Sequence, residues 1–248
     1  MFLDQTSTAV LILSLLSVLT TAAGVLLALL IRQDARAIAA GIGFSTGIMV
    51  LVSAMELIPE AGAVIGYVHT GLAVILGAGV LWGMHLIIPH SHLIPEHGYA
   101  DTRLVRSAYL VVIGLILHDV PEGFAMANAY VASPSLGLLV ALAIALHNLP
   151  EEMAMAVPAV NLRSKRFLVT AAMLSALAEP VGAVLGLIAV GAKPGLNEYF
   201  MAIAAGAMLF VSLHELIPLA RRYGRIGWFG AGLVLSIAVH QLLELAIQ

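Results

Sequence analysis

The feature that most constrains this chain is a series of eight apolar runs, each near the length of a membrane-crossing helix. The hydrocarbon core of a bilayer is about 30 Å thick, so a helix needs about 20 consecutive apolar residues to cross it. The 248 residues are 61% hydrophobic and 10% charged, against about 45–50% and about 25% in soluble domains. The sequence therefore predicts an all-α membrane protein, one domain over 1–248, with spans at 8–31, 37–59, 66–88, 105–130, 134–158, 167–191, 198–219 and 226–247.

The basic residues assign the two sides of the membrane. Of the eleven Lys and Arg residues, ten fall at helix ends or loops on one face, and Lys193 falls on the other. Loops rich in Lys and Arg stay in the cytoplasm, so this face is predicted to be cytoplasmic and both termini extracytoplasmic. The ten residues are Arg32, Arg36, Arg103, Arg106, Arg163, Lys165, Arg166, Arg221, Arg222 and Arg225.

A short repeat links the second and seventh spans. The segment SAMELIPEA at 53–61 resembles SLHELIPLA at 212–220, and Met49 and Met208 each lie seven residues before the glutamate, Glu56 or Glu215. The two spans run in opposite directions, so an inverted repeat of spans 1–3 and 6–8 around spans 4–5 is predicted, as in many secondary transporters. Glu56 then lies near the outer mouth, and His214 with Glu215 near the inner one. Chance similarity between short apolar segments is the alternative.

Two nearly identical polar motifs interrupt the central spans. HDVPEGFAMA occupies 118–127 and HNLPEEMAMA occupies 147–156. Ionisable groups at membrane depth are costly unless they are paired, and they commonly mark an ion or proton pathway. Residues three or four apart share a helix face, so each motif presents His, Asp or Asn, and Glu on one side. Two facing helices of this kind predict one shared metal site.

The ligand chemistry narrows the choice of ion. The candidate metal ligands are His118, Asp119, Glu122, His147, Asn148, Glu151 and, from the Glu-Pro pair of span six, Glu179. A mixed nitrogen and oxygen set suits Zn²⁺, Fe²⁺, Mn²⁺ or Cd²⁺ better than Cu⁺, and two glutamates could bridge a pair of ions. Any one of these residues could instead form a hydrogen bond between helices, but the complete set carries too many charges for a purely structural role.

Several further polar residues have open roles. Glu152 is turned about 100° from Glu151 on the helix. It could support the metal ligands, accept a proton, line the pathway as a charge or serve as a structural partner. His90, His92 and His97 in the loop at 89–104 could gather metal at the cytoplasmic exit or simply be solvated. Met49 and Met208 are candidates to border the pathway, whereas structural or interfacial roles are favoured for His85, His240 and Glu244.

These motifs resemble those of the ZIP (Zrt/Irt-like protein) family of divalent metal transporters. The similarity rests on HDVPEG and HNLPEE, on GFSTGIMVLVS at 43–53 and on LAEPVGA at 177–183, and it extends over almost the whole chain. The short loop between spans three and four is similar to that of the prokaryotic, GufA- or ZupT-like branches. The resemblance implies an eight-helix fold, a site between spans four and five completed by span six, and movement of one helix bundle against another, often in a homodimer.

The resemblance also implies roles for individual residues. The primary metal position would take His118, Glu122, His147 and Glu151, and a neighbouring position would take Asp119, Asn148 and Glu179. Met49 would border the first position, and His214 with Glu215 would lie on the release route. Two residues depart from the family pattern, since Asp119 stands where Asn is common and Glu152 where Gly is common. Both add negative charge, so metal preference is not transferable from relatives.

The sequence predicts a Zn²⁺ uptake transporter of the cell membrane, whose partners are the lipid bilayer and divalent ions, without nucleic acid. The ion is cargo, and no resident cofactor is expected. An intramembrane metal-dependent hydrolase is the alternative, although HExxH and a Ser or Cys nucleophile motif are missing and the chain has no cysteine. Efflux or regulation is a third possibility, because the direction of flow depends on ion gradients and coupling.

Overall fold

The computed structural model of the chain describes residues 4–31, 34–87, 100–161 and 165–247. Nearly all of these residues are helical, in agreement with the predicted fold class. The helices are α1 (Gln5–Ser14), α2 (Leu16–Ile31), α3 (Ala35–Leu51), α4 (Ile58–Ile65), α5 (Tyr67–Ile87), α6 (Ala100–Ala132), α7 (Pro134–Asn161), α8 (Lys165–Ala192), α9 (Asn197–Val211), α10 (Ile217–Arg222) and α11 (Ile226–Ile247).

Seven continuous segments in the described ranges are long and apolar enough to cross a membrane. They are Gln5–Leu30, Ala35–Ile65, Tyr67–Leu86, Pro134–Ala154, Arg166–Ala192, Pro194–Arg222 and Ile226–Ile247. Helix α6, at 33 residues, is also long enough to cross a bilayer, which takes about 20 residues. Seven to eight helices can therefore span the membrane, with α6 corresponding to the span predicted at 105–130.

The segment that contains α3 and α4 extends beyond its predicted end at 59. A π-helical turn, Val52–Leu57, joins the two helices, and the Ile58 amide donates to the Ser53 carbonyl oxygen. A proline lacks the amide hydrogen and crowds the carbonyl four residues earlier, and the wider π turn before Pro59 accommodates this. The helix continues to Ile65 and stops at Gly66, whose φ of 79° suits glycine.

The second repeat motif adopts the same local structure. A π-helical turn, Ser212–Leu216, connects α9 to α10, and the Ile217 amide donates to the Ser212 carbonyl oxygen. Pro218 follows directly, as Pro59 follows Ile58. The two similar stretches of sequence therefore share an unusual backbone geometry as well as their residues.

Glycines allow several helix pairs to approach closely. A Cβ atom at Gly123 of α6 would overlap the Glu179 carbonyl oxygen of α8, and one at Gly182 of α8 would overlap the Val120 carbonyl oxygen of α6. Small residues at such crossings are typical of membrane helices, because packing replaces the hydrophobic effect as the source of association. This crossing brings Glu179 next to the two polar motifs.

Two further pairs of helices also pack closely at glycines. Helix α3 packs on α11, where a Cβ at Gly232 would overlap the Ala40 carbonyl oxygen, and α5 packs on α9, where a Cβ at Gly206 would overlap the Val74 carbonyl oxygen. Helices α5 and α11 expose most of their apolar side chains, as expected of a lipid-facing surface, whereas α3 and α7 are mostly buried. The second polar motif thus lies on one of the most buried helices, α7.

Candidate metal centre

The two polar motifs face each other across the contact between α6 and α7. His118 and Glu122 lie one turn apart on α6, and His147 and Glu151 lie one turn apart on α7. All four side chains are buried, with Glu122 and His147 at 0% exposure. The helical spacing that the sequence displays therefore produces two His–Glu pairs that meet in the protein interior.

The pairing between the motifs is crosswise. His118 Nε2 lies 2.6 Å from Glu151 Oε1, and His147 Nε2 lies 3.1 Å from Glu122 Oε1. Glu151 also approaches the second histidine, with His147 Nε2 3.9 Å from Glu151 Oε2. Ligand atoms of Glu122, His147 and Glu151 all lie within 4.8 Å of one another, which is close enough for one ion to bind all three.

Neighbouring groups hold His147 in a fixed orientation. Its Nδ1 lies 3.0 Å from the Ala143 carbonyl oxygen, so the ring can donate there and direct Nε2 towards the glutamates. The Ser45 hydroxyl of α3 donates to the His147 carbonyl oxygen at 2.7 Å. Contacts of this kind orient metal-binding histidines in many proteins and support their affinity.

A second polar group adjoins the first. The Asn148 amide donates to Glu179 Oε2 at 3.1 Å, joining α7 to α8. Asp119 Oδ1 lies 3.6 Å from His118 Nε2, so Asp119 is adjacent to the first group. The three residues expected at a neighbouring position are each 5% exposed or less. All seven candidate ligands therefore lie in one buried polar layer.

Glu152 belongs to this layer as well. The Ser175 hydroxyl of α8 donates to Asp119 Oδ2 at 2.7 Å and also contacts Glu152 Oε1. The Thr21 hydroxyl of α2 donates to the same Glu152 oxygen at 3.1 Å. Sequence reasoning did not single out Ser175 or Thr21. The one available signal was that Ser175 lies four residues before Glu179 and so shares its helix face.

The layer carries an unbalanced charge. Asp119, Glu122, Glu151, Glu152 and Glu179 are all buried, and no Lys or Arg forms an ion pair with them in the described part of the chain. Buried carboxylates without compensation are strongly unfavourable, and histidine and carboxylate ligands together suit a divalent cation. The arrangement can bind a cation and shield it from lipid.

The two repeat glutamates each contact a histidine from another helix. Glu56 Oε1 lies 3.1 Å from His240 Nε2, and Glu215 Oε1 lies 2.9 Å from His85 Nε2. The rings of His85 and His214 are 5.5 Å apart between centroids. Because the partners are far apart in the chain, local patterns could not indicate these pairs. The two histidines do occupy similar positions in their helices. His85 lies eight residues after Gly77 and His240 lies eight residues after Gly232, and both glycines allow a close approach of another helix.

The remaining candidates have different locations. Met49 and Met208 are almost completely buried, and each lies about one turn before a π turn. Glu215 Oε2 would lie 3.3 Å from a Cβ atom at Gly114, one turn before His118 on α6. His90, His92 and His97 lie outside the described residues.

Comparison with known proteins gives consistent matches. The sequence model described as "ZIP Zinc transporter" matches residues 88–239, which include both polar motifs. The chain is 35% identical to "Zinc transporter ZupT" of Chlorobium luteolum, over 94% of the chain and 96% of that protein. It is 36% identical to ZupT of Escherichia fergusonii over 85% and 86%, and 34% identical to "Zinc transporter GufA" of Myxococcus xanthus over 79% of each.

Proposed function

The chain belongs to the ZIP family of zinc transporters, and from that premise we propose that it carries Zn²⁺ into the cytoplasm through the buried polar layer. It is a divalent metal transporter of the cell membrane with multiple spans, and it is not an enzyme. Zn²⁺ is the transported substrate, and Fe²⁺, Mn²⁺ and Cd²⁺ are further candidates. The hydrolase alternative has no support among relatives that share most of the chain.

The crosswise contact of the twin motifs is the observation that carries the proposal. His118 Nε2 and Glu151 Oε1 are 2.6 Å apart, yet neither atom makes a hydrogen bond of normal geometry among the described residues. Glu122 Oε2 also has no hydrogen-bond partner there. Buried polar atoms normally find partners, so a set of them directed at one another indicates a ligand that they share. A divalent cation matches both their charge and their chemistry.

We assign two metal positions within the layer. The first uses His118, Glu122, His147 and Glu151, and the second uses Asp119, Asn148 and Glu179, as the family resemblance implies. The hydrogen bond between Asn148 and Glu179 supports a common role for this second group. Two adjacent positions would let an ion transfer between ligand sets without losing all of its ligands at once.

We further propose that eight spans, including α6, form an inverted repeat. Helix packing supports this proposal. In the repeat, α3 corresponds to α9 and α5 corresponds to α11, and the contact between α3 and α11 has a counterpart in the contact between α9 and α5. Likewise, α2 corresponds to α8 and α7 corresponds to α6, and the contact between α2 and α7 has a counterpart in the contact between α8 and α6. The two π turns occupy corresponding places in this scheme.

Direction follows from the basic residues. Arg36 at the start of α3 and Arg221 and Arg222 at the end of α10 mark one face, which we assign to the cytoplasm, with both termini outside. On the inward side, Glu215 approaches Gly114 one turn from His118, so Glu215 and His214 extend the route from the central layer towards this face. The single domain over 1–248 and the homodimer remain predictions.

Zinc uptake into liposomes tests the proposed function. The purified protein is reconstituted with a zinc-sensitive dye inside, Zn²⁺ is added outside, and Mn²⁺, Fe²⁺ and Cd²⁺ serve as competitors. We expect flux that disappears in Glu151→Ala and in His118→Ala, while Glu60→Gln, which removes an exposed glutamate outside the layer, retains it. Absence of flux in the unaltered protein would overturn the function, and near-normal flux in a folded Glu151→Ala variant would overturn the site.

Acidification provides a second test. Zn²⁺ binds neutral imidazoles and ionised carboxylates, so protons compete for every ligand in the layer. We expect uptake to slow as the external pH falls from about 8 to about 5, and a higher Zn²⁺ concentration to restore part of the rate. Uptake rates that do not change across this range would contradict transport through these ligands.

A further inference from the structure

A second group of potential ligands lies well away from the central layer. It comprises Glu56 in the first π turn and His240 and Glu244 on α11, and one ligand atom from each lies within 4.8 Å of the other two. His240 and Glu244 are four residues apart, so they share the face of α11 that turns towards Glu56. We call this set the mouth cluster.

His240 and Glu56 are close enough for an ion pair, but their alignment is not that of a normal hydrogen bond. His240 is 4% exposed, and its Nε2 lies 3.1 Å from Glu56 Oε1. That nitrogen nevertheless makes no hydrogen bond of normal geometry with any described residue. In a structural ion pair the ring N–H would point at the carboxylate oxygen. Here the two atoms are close without that alignment, as two ligands of a common ion would be.

The donor set has the chemistry of a divalent-cation site. One imidazole nitrogen with two carboxylates is a combination that binds Zn²⁺ and similar ions, with water at the remaining positions. Glu56 and Glu244 are partly exposed, so water can reach the cluster and complete the coordination. The net charge of the three side chains also favours a cation, because two glutamates face one histidine.

The mouth cluster and the central layer are separate sites. Ser45 of α3 contacts the His147 backbone, and Glu56 lies eleven residues further along the same continuous helical segment. At 1.5 Å per residue this separation is about 16 Å along the axis. Arg36 lies twenty residues before Glu56, about 30 Å away along the helix, so the cluster is near the face opposite the basic residues.

We propose that Glu56, His240 and Glu244 form an additional divalent-cation site, which receives the ion at the extracytoplasmic mouth before it reaches the central layer. The existence of the site follows from the geometry of the cluster. Its role as an entry site rests on the proposed function and on the orientation assigned above.

Metal-binding stoichiometry tests the proposal independently of transport. The metal-free protein in lipid nanodiscs is titrated with Cd²⁺, and bound metal is measured after equilibrium dialysis. The combined variant Glu122→Gln, Glu151→Gln, Glu179→Gln and Asp119→Asn removes every carboxylate of the two proposed central positions, and we expect it to retain one bound Cd²⁺. Adding His240→Gln should remove that ion, whereas adding Glu60→Gln should not. His240→Gln alone should bind one Cd²⁺ fewer than the unaltered protein.

Each result has a defined meaning. If the combined central variant binds no Cd²⁺, or if His240→Gln leaves the stoichiometry unchanged, the mouth site is wrong. Glu244→Gln replaces His240→Gln wherever size-exclusion chromatography shows that the latter is misfolded, and the same outcomes decide. Loss of zinc flux in the unaltered protein with stoichiometry as expected would overturn the transport function and leave the site in place. Normal zinc flux without the Cd²⁺ that depends on His240 would overturn the mouth site and leave the transport function in place.

Discussion

The central layer and the mouth cluster use the same side-chain types in different surroundings. In the centre, Glu122 and His147 are completely buried and Glu151 is 3% exposed. At the mouth, His240 is buried but Glu56 and Glu244 are partly exposed. An ion in the centre would be enclosed by protein and would need rearrangement to leave, whereas an ion at the mouth could exchange directly with water. Transport requires both properties, since binding must be selective and release must remain possible.

The largest effect on Zn²⁺ flux is expected from replacing Glu122 in the central layer. Glu122→Gln keeps the shape of the side chain but removes a charge directed at His147. Supporting groups of metal ligands alone contribute about 10–100-fold to affinity, so loss of a direct ligand should lower Zn²⁺ flux by about 100-fold or more. Liposome flux measures the effect, and circular dichroism checks the fold. Flux within about twofold of the unaltered protein would remove Glu122 from the proposed site.

The next effect is expected from separating α6 and α8. Gly182→Val would place a side chain against the Val120 carbonyl oxygen, so the helices must move apart and carry Glu179 away from Asn148. Such overpacking typically costs about 1–3 kcal/mol. We expect a lower Tm and a large loss of flux.

Gly191→Val is the matched control for that experiment. Gly191 lies on the same helix, and a Cβ there would meet no heavy atom within 4 Å. This variant should retain both Tm and flux. Equal behaviour of the two variants would show that the close crossing does not position the central layer.

A smaller effect is expected at Ser175. Ser175→Ala removes the hydroxyl that contacts both Asp119 and Glu152, while leaving every proposed metal ligand in place. We expect Zn²⁺ affinity to fall about tenfold, as for other groups that orient metal ligands. Ser14→Ala is the control, because the buried Ser14 hydroxyl donates to the Leu11 carbonyl oxygen of its own helix. If neither Ser175→Ala nor Ser14→Ala changes the Zn²⁺ affinity, Ser175 contributes to helix packing and does not orient the proposed ligands.

The smallest effect is expected at the mouth. Glu244→Gln weakens a site that the ion passes before the central layer, so the Zn²⁺ concentration for half-maximal uptake should rise about threefold with the maximal rate unchanged. A fall in maximal rate without a change in half-maximal concentration would place Glu244 in the rate-limiting step, contrary to a role at the entrance. Initial uptake rates at several external Zn²⁺ concentrations distinguish these outcomes.

Much of the fold and of the central layer can be predicted from local sequence. Spans follow from apolar length, because hydrocarbon forces the backbone to satisfy its own hydrogen bonds. His118 and Glu122 on one helix and His147 and Glu151 on the next have the spacing of a shared face. The crosswise pairs are different, because which glutamate meets which histidine depends on how α6 and α7 pack.

Other features of the fold and of the site cannot be predicted from the local sequence. Thr21 is an ordinary polar residue of a membrane helix, and only its position beside Glu152 gives it a role in the layer. His240 contacts a glutamate from the first half of the chain, so its partner emerges only from the packing of α11 against the segment of α3. The extension of the second span beyond Pro59 depended on a π turn, which the apolar pattern does not distinguish from an α-helical one.

The π turns have a consequence for insertions and deletions. A π turn accommodates an additional residue within an otherwise continuous helix. Deleting one residue within Val52–Leu57 would convert it to an ordinary α-helical turn, and the helix on either side would keep nearly its present orientation. The chain would still be helical, and the change would be confined to the turn that contains Glu56. A single-codon deletion at either π turn would therefore alter the turn that carries Glu56 or Glu215, without requiring any change in the helices that surround it.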